Sequence, residues 1–294
     1  MSPDPKTPVK IDALSGVPTT GHDWDGIKEL NTPLPRWWVI IFVGTIVWSI
    51  FYVIAYPAIP LHSSFTKGVL GWSSRGAVGK DIAALRATRG PMTAALAKAS
   101  LQAIEKDPGL LEFARAQGKA AFADNCAPCH GAGGGGGKGY PNLNDDIWIW
   151  GGALDAIFAT ISHGIRSGDP QGHDSAMPAF GRDGVLSKAE ISNVADYVHT
   201  LSGQPAEQGA SVASGAKLFA EDCAPCHGVK GAGNQELGAP NLTAHGSLYG
   251  SDKEMIVQTL TNGRGGVMPA WSGRLDLATL KALTVYVHTL GGGQ

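Results

Sequence analysis

Trp37 to Tyr56 reads WWVIIFVGTIVWSIFYVIAY, twenty consecutive residues without a charge. At 1.5 Å per residue this run spans ~30 Å, about one hydrocarbon core. Trp37, Trp38, Tyr52 and Tyr56 lie near its ends, where amphipathic rings favour a membrane interface, and Pro57 stops the helix. The run begins after 36 residues, exceeds a signal-peptide core and has no small-residue cleavage site behind it. It predicts a permanent single-pass anchor. Flanking charge orients it poorly, with Lys28 and Arg36 before it and Lys67, Arg75 and Lys80 after it.

Beyond the anchor the pattern is helical and shows no long strand alternation. Ala58–Gly79 reads as a polar linker, and Asp81–Lys106 as an Ala-rich helical stretch interrupted at Gly90-Pro91. Gly118–Cys126 and Gly215–Cys223 are short amphipathic helices enclosing Phe122 and Phe219. Lys188–Leu201 follows Ser187 as N-cap, with Glu190 in the capping-box position, and Asp276–Leu290 is its later counterpart. The Gly-rich stretch Gly131–Gly139 is loop; no Gly-Lys-Ser/Thr follows it, so it is no phosphate cradle.

These segments belong to an internal repeat. GKAAFADNCAPCHG (Gly118–Gly131) answers GAKLFAEDCAPCHG (Gly215–Gly228). Pro141-Asn142-Leu143 answers Pro240-Asn241-Leu242. Met177-Pro178-Ala179-Phe180 answers Met268-Pro269-Ala270-Trp271, and Tyr197–Leu201 answers Tyr286–Leu290. The order of landmarks and the long period indicate two tandem domains rather than a solenoid. The expected organisation is a leading segment over 1–36, the membrane helix over 37–56 and a linker with helices over 57–114. A first domain over 115–203, a link over 204–213 and a second domain over 214–294 complete it. The fold class is mainly α.

Composition narrows the function. Of 294 residues 41 are glycine and 18 proline, too few and too irregular for collagen or low-complexity disorder. With 23 basic against 25 acidic residues there is no basic excess to neutralise phosphates, so a nucleic-acid partner is not expected. From Arg115 onward 12 basic face 16 acidic residues, a mild acidity suited to a basic donor.

The four cysteines carry the chemistry. Cys126/Cys129 and Cys223/Cys226 are each followed at once by a histidine, His130 and His227. Cys-x-x-Cys-His is the pattern of covalent c-type haem attachment: two thiols join the haem vinyls and the histidine falls beneath the iron. A zinc ribbon needs the two pairs far closer together, and a thioredoxin-type dithiol needs a βαβ setting. Two covalent haem c groups are therefore expected. Met177 and Met268, each followed by proline, are the candidate sixth ligands, which would give closed, electron-transferring iron. Each is expected within its own repeat, although exchange between neighbouring repeats satisfies the same spacing. His163 and His173 are rivals in the first repeat, and His199 and His288 read as surface or packing residues. Arg166 and Arg264 occupy similar places after a glycine and are candidates for haem propionates. Phe122, Trp148, Phe219 and Trp271 are candidates to line the pockets, and core packing explains them equally well.

The whole plan resembles one family, the membrane-anchored dihaem subunit (FixP or CcoP) of cbb3-type cytochrome c oxidases. The resemblance rests on the tandem CAPCH repeats and on two further segments. Gly21-His22-Asp23-Trp24-Asp25-Gly26-Ile27, Glu29-Leu30-Asn31 and Pro33–Trp38 look like the family's signature before its membrane helix, and Gly71-Trp72-Ser73-Ser74-Arg75 resembles another beyond it. It implies two cytochrome c domains holding Cys126, Cys129, His130 and Met177, and Cys223, Cys226, His227 and Met268. It also implies an electron relay, not catalytic alone, from a donor cytochrome c towards a monohaem subunit and a catalytic haem–copper subunit. Oxygen reduction there is coupled to proton translocation. Family maturation implies attachment outside the bacterial inner membrane, hence a cytoplasmic N-terminus, periplasmic haem domains and a helix in contact with lipid. A free-standing anchored dihaem shuttle, the cytochrome subunit of a periplasmic dehydrogenase and a dihaem peroxidase are the alternatives.

Overall fold

The computed structural model describes residues 10–206, 209–244 and 248–291. Residues 1–9 of the expected leading segment, 207–208 of the expected link, and 245–247 and 292–294 of the expected second domain lie outside the described residues. The chain divides into two compact units, one ending at Arg86 and the other beginning at Ala87.

In the first unit a hairpin precedes the membrane helix. β1 (Thr19–Trp24) pairs antiparallel with β2 (Ile27–Leu30), Trp24 standing opposite Ile27. The turn is Asp25-Gly26, both with positive φ (54° and 90°), as the twist of a two-residue hairpin requires. Glu29 fastens one face: its carboxylate accepts from Trp24 Nε1 at 3.1 Å and Thr20 Oγ1 at 3.2 Å. α1 (Arg36–Ala55) follows the uncharged run and buries none of its side chains, as suits a helix solvated by lipid. Its hydroxyls are satisfied internally, Thr45 donating to the Phe42 carbonyl and Ser49 to the Thr45 carbonyl. The returning chain covers the C-terminal end: Val69 N–H donates to Ile54 O at 2.9 Å and Leu70 N–H to Ala55 O at 3.1 Å.

α2 (Ser74–Lys98) corrects two sequence expectations. It begins inside the stretch read as linker, and it runs through Gly90-Pro91 without a break. An internal proline removes one hydrogen bond and crowds the preceding turn, but good helix formers on both sides carry the helix on. The break falls instead at Ser100, whose side chain accepts from Ala103 N–H and caps α3 (Leu101–Lys106).

The second unit continues with α4 (Pro108–Asn125), capped by Asp107, the short α5 (Ala127–His130), α6 (Leu154–His163) and α7 (Lys188–Leu201). The repeat returns as α8 (Val212–Leu218), a π-helical turn over Phe219–Cys223, α9 (Ala224–His227), α10 (Lys253–Asn262) and α11 (Leu277–His288). The Ser187–Glu190 capping box is present in both directions.

The two repeats exchange halves. α4 of the first crosses α11 of the second, and α8 of the second crosses α7 of the first. The crossings are close because glycine sits at each. A Cβ on Gly118 would lie 2.2 Å from Ala282 O, and one on Gly215 would lie against Asn193 O. The aromatic pairs that lock them are also mixed: Phe122 meets Tyr286 at 5.4 Å between ring centroids, and Phe219 meets Tyr197 at 5.2 Å. Both phenylalanines are fully buried, in keeping with the core-packing reading of these two positions. Leu96, Leu101 and Ile104 extend one core onto α11 through Ala278, Ala282 and Val285. The short link between α7 and α8 makes these two helices neighbours, as consecutive elements usually are. Asp196 on α7 reinforces the pairing, accepting from Ser211 N–H at 3.2 Å and pairing with Lys253 at 2.5 Å.

Gly118→Ala is expected to lower the stability of the second unit by about 1–3 kcal/mol, the usual cost of overpacking a tight contact. Denaturant unfolding followed by helical circular dichroism measures it. Gly133→Ala, where nothing lies within 4 Å of the added Cβ, is expected to leave the midpoint nearly unchanged.

Candidate functional site

Each Cys-x-x-Cys-His sits on a single helical turn that follows the glycine-bearing helix. Cys126 is half-buried and Cys223 buried, both facing core clusters, whereas Cys129 and Cys226 are exposed. None is in a disulfide. Burial pushes the Cys126 thiol up to about 11, with Cys129 beside it adding to the rise. Burial, then Asp222 and Cys226, push Cys223 up to about 12. In each pair one thiol is thus anchored in the core and the other faces outward.

The histidines are set identically. His130 Nδ1 donates to Pro141 O and His227 Nδ1 to Pro240 O, each at 3.1 Å. That bond fixes the tautomer and leaves Nε2 as a lone-pair donor, the arrangement typical of metal-bound imidazole. Burial lowers the pKa of both rings, the proline carbonyl partly offsetting it, so both are neutral as a ligand must be. The loop that brings the proline round depends on glycine. Gly136 N–H donates to His130 O and Gly233 N–H to His227 O, and both glycines have positive φ (69° and 85°). This is the use of the Gly131–Gly139 stretch.

The methionine loops are exchanged like the helices. Met268 packs in the cluster that holds Cys126, Trp148 and Trp271. Met177 packs in the cluster that holds Cys223, Ala224 and Phe180. Each methionine loop thus packs on the other repeat, the exchange that the spacing also allows. The cause lies in backbone pairing: Met268 exchanges two hydrogen bonds with Ile165, both 2.9 Å, and Met177 exchanges two with Arg264, 2.9 and 3.2 Å. Trp271 and Ser272 then donate to the last carbonyls of α6, while Gly181 and Arg182 donate to those of α10.

The same pairing corrects the two arginines. Ile165, not Arg166, is the counterpart of Arg264. Arg264 lies partly buried, its Nε donating to Thr259 Oγ1 at 3.0 Å and its guanidinium 4.2 Å from the centre of the Tyr249 ring. Its Nη2 is buried with no hydrogen-bond partner among the described residues. Arg166 instead donates to two backbone carbonyls, Gly266 O at 2.7 Å and Ser175 O. The rival histidines are engaged elsewhere: His163 Nδ1 is 3.2 Å from Asp169, and His173 stacks on Trp150 at 3.9 Å with Nε2 near Thr160 Oγ1. His288 faces Glu105 at 3.4 Å.

These residues fit covalent haem. Each half-site joins a Cys-x-x-Cys pair and a neutral histidine with a free Nε2 to a methionine loop packed in the same cluster. The orphaned, buried guanidinium nitrogen of Arg264, a residue whose backbone pairs with Met177, suits a carboxylate of a propionate.

Comparison with known proteins agrees with this reading. Residues 16–63 match the family described as the N-terminal domain of cytochrome oxidase-cbb3, FixP. Residues 115–202 match cytochrome c, and residues 210–287 match cytochrome C oxidase, cbb3-type, subunit III. The cbb3-type cytochrome c oxidase subunit FixP of Azorhizobium caulinodans is 62% identical over 284 residues, 97% of this chain and 96% of its own. FixP of Bradyrhizobium diazoefficiens is 59% identical over 97% of this chain and 98% of its own. The CcoP subunit of Cereibacter sphaeroides is 48% identical over 94% of this chain and 96% of its own. With this identity over nearly the whole chain, and with its membrane helix and two cytochrome c domains, the chain belongs to the FixP/CcoP family of cbb3-type cytochrome c oxidase subunits.

Proposed function

We propose that this chain is the anchored electron-transfer subunit of a cbb3-type cytochrome c oxidase, carrying two covalent haem c groups and no oxygen chemistry of its own. The supporting observation is the pair of matched half-sites, each with a methionine loop packed in the same cluster as its Cys-x-x-Cys turn. The first site would use Cys126, Cys129, His130 and Met268; the second, Cys223, Cys226, His227 and Met177. Once bound, such a group supplies reversible one-electron iron chemistry, with methionine ligation raising its potential. The chain's own residues supply the rest. Cys126 and Cys223 seat one attachment point in the core, and Cys129 and Cys226 hold the other near the surface. Pro141 and Pro240 orient the imidazoles through Nδ1. Phe122, Tyr286, Phe219 and Tyr197 keep water from the helix crossings behind them, and the free nitrogen of Arg264 would take a propionate.

α1 would hold the subunit in the bacterial inner membrane. Because c-type haem is attached on the outer face, the haem domains would lie in the periplasm and the residues before α1 in the cytoplasm. Electrons would arrive from a donor cytochrome c and leave towards a monohaem subunit and the haem–copper catalytic subunit.

The crossed ligation is tested with single-haem chains. In a Cys223→Ser/Cys226→Ser background, Met268→Ala is expected to lower the midpoint potential of the remaining haem and let it bind carbon monoxide, while Met177→Ala changes neither. The opposite result would return each methionine to its own repeat.

Affinity capture of the tagged full chain from gently solubilised membranes tests assembly. High-spin haem b, copper and larger partner chains are expected to accompany it. Recovery of the chain alone, across several mild detergents, would identify a free-standing shuttle instead.

A further inference from the structure

We infer that Arg166 is a positioning residue shared by the two sites, holding both methionine loops with one guanidinium; the inference deepens the crossed ligation proposed above and rests on it. Its Nε donates to Gly266 O at 2.7 Å and its Nη1 to Ser175 O. Gly266 stands two residues before Met268, and Ser175 two residues before Met177. One side chain is therefore tied to corresponding points of two loops that serve different sites.

The backbone around Arg166 is joined to the same loops. Ile165 carries the paired hydrogen bonds to Met268, and Arg166 N–H donates to His173 O at 2.5 Å, on the approach to Met177. Arg166 also holds φ at 50°, in the left-handed region, where a side chain other than glycine's costs about 1–2 kcal/mol. Such a conformation persists where its surroundings over-determine it. The position related to Arg166 in the other repeat is Gly265. A Cβ there would lie 3.8 Å from Arg166 Cδ and 3.9 Å from its Nε. A second arginine would bring two like charges together, so the pseudo-symmetric pair of loops is served by a single one. A planar guanidinium, with donors in fixed directions, can span two carbonyls in this way; an ammonium cannot match that fork.

The loops need such a tie. Ser175, Ala176, Gly265, Gly266 and Val267 are exposed and contribute nothing to the core clusters. The hydrogen bonds of Ile165 and Arg264 hold each methionine's own backbone, and Arg166 holds the approach to it.

The test uses the full haem-loaded chain and two single-haem chains, one lacking Cys126/Cys129 and one lacking Cys223/Cys226. Arg166→Met removes both donors. It is expected to weaken the long-wavelength methionine-to-ferric-iron band and lower the midpoint potential in both single-haem chains, with covalent haem content and helical circular dichroism unchanged. Amide hydrogen exchange should speed up at 175–177 and at 266–268 together. Arg166→Lys, which keeps the charge, is expected to restore one loop at most. An effect confined to one single-haem chain, or full recovery of both by lysine, would overturn the inference. So would unchanged bands with unchanged exchange. The exchange measurement reads the tie itself. Faster exchange at both segments, with Met268→Ala leaving the first haem unaffected, would therefore overturn the ligand assignment and not the tie.

Discussion

Two helix crossings, each made possible by a missing Cβ, carry the haem-binding half of this protein. At Gly118 and Gly215 backbone meets backbone, and the neighbouring Phe122 and Phe219 are sealed against a tyrosine from the other repeat. Because each crossing joins different repeats, everything attached to the helices is mixed as well. The histidine turn hangs from the first helix of a pair, and the methionine loop precedes the second. α11 also binds the helices that lead into the first repeat. Lys281 donates to Ala97 O at 2.7 Å and Ala99 O at 2.6 Å, placing a cation where the carbonyls of α2 run out.

The half-sites are alike where ligand chemistry dictates and different where the two repeats meet. Both imidazoles are neutral and tied to a proline carbonyl, and both histidine loops turn on a glycine. The differences are single residues. Asp196, fastened to Ser211 and Lys253, stands where the second repeat has Val285. Arg264 stands opposite Ile165, and Arg166 opposite Gly265. The repeat thus supplies two matching frames, and these single residues mark the seam along which they meet.

The sequence was informative about what each repeat contains and poor on which pieces pair. The uncharged run gave α1 to within a residue, and Ser187 with Glu190 gave the start of α7, because both signals are local. The hairpin before the membrane helix went unread although Asp25-Gly26 marks its turn; its two strands are too short to show an alternation. Gly90-Pro91 reads as an interruption because the lost bond is local to one residue, whereas the helix formers that outweigh it act in sum over the whole of α2. The exchange left no local signal. Two nearly identical repeats present complementary faces to either partner, so spacing cannot choose between them. The clues are the brief link from α7 to α8 and Asp196, a carboxylate on the inner face of α7. Arg166 and Arg264 seemed equivalent because each follows a glycine closely, and only the hydrogen-bond register separates them.

The exchange also sets an order of events during synthesis. A chain made from its N-terminus delivers His130 long before Met268, whereas Met177 already exists when His227 emerges. The cluster around Cys223 has its methionine loop in hand before its histidine turn is made, and needs only Pro240 and α10 after it. The cluster around Cys126 stays incomplete until Met268, just ahead of α11, has been made. The first half of the duplicated unit therefore waits, with its core unfinished, for nearly the entire time that the second is being made.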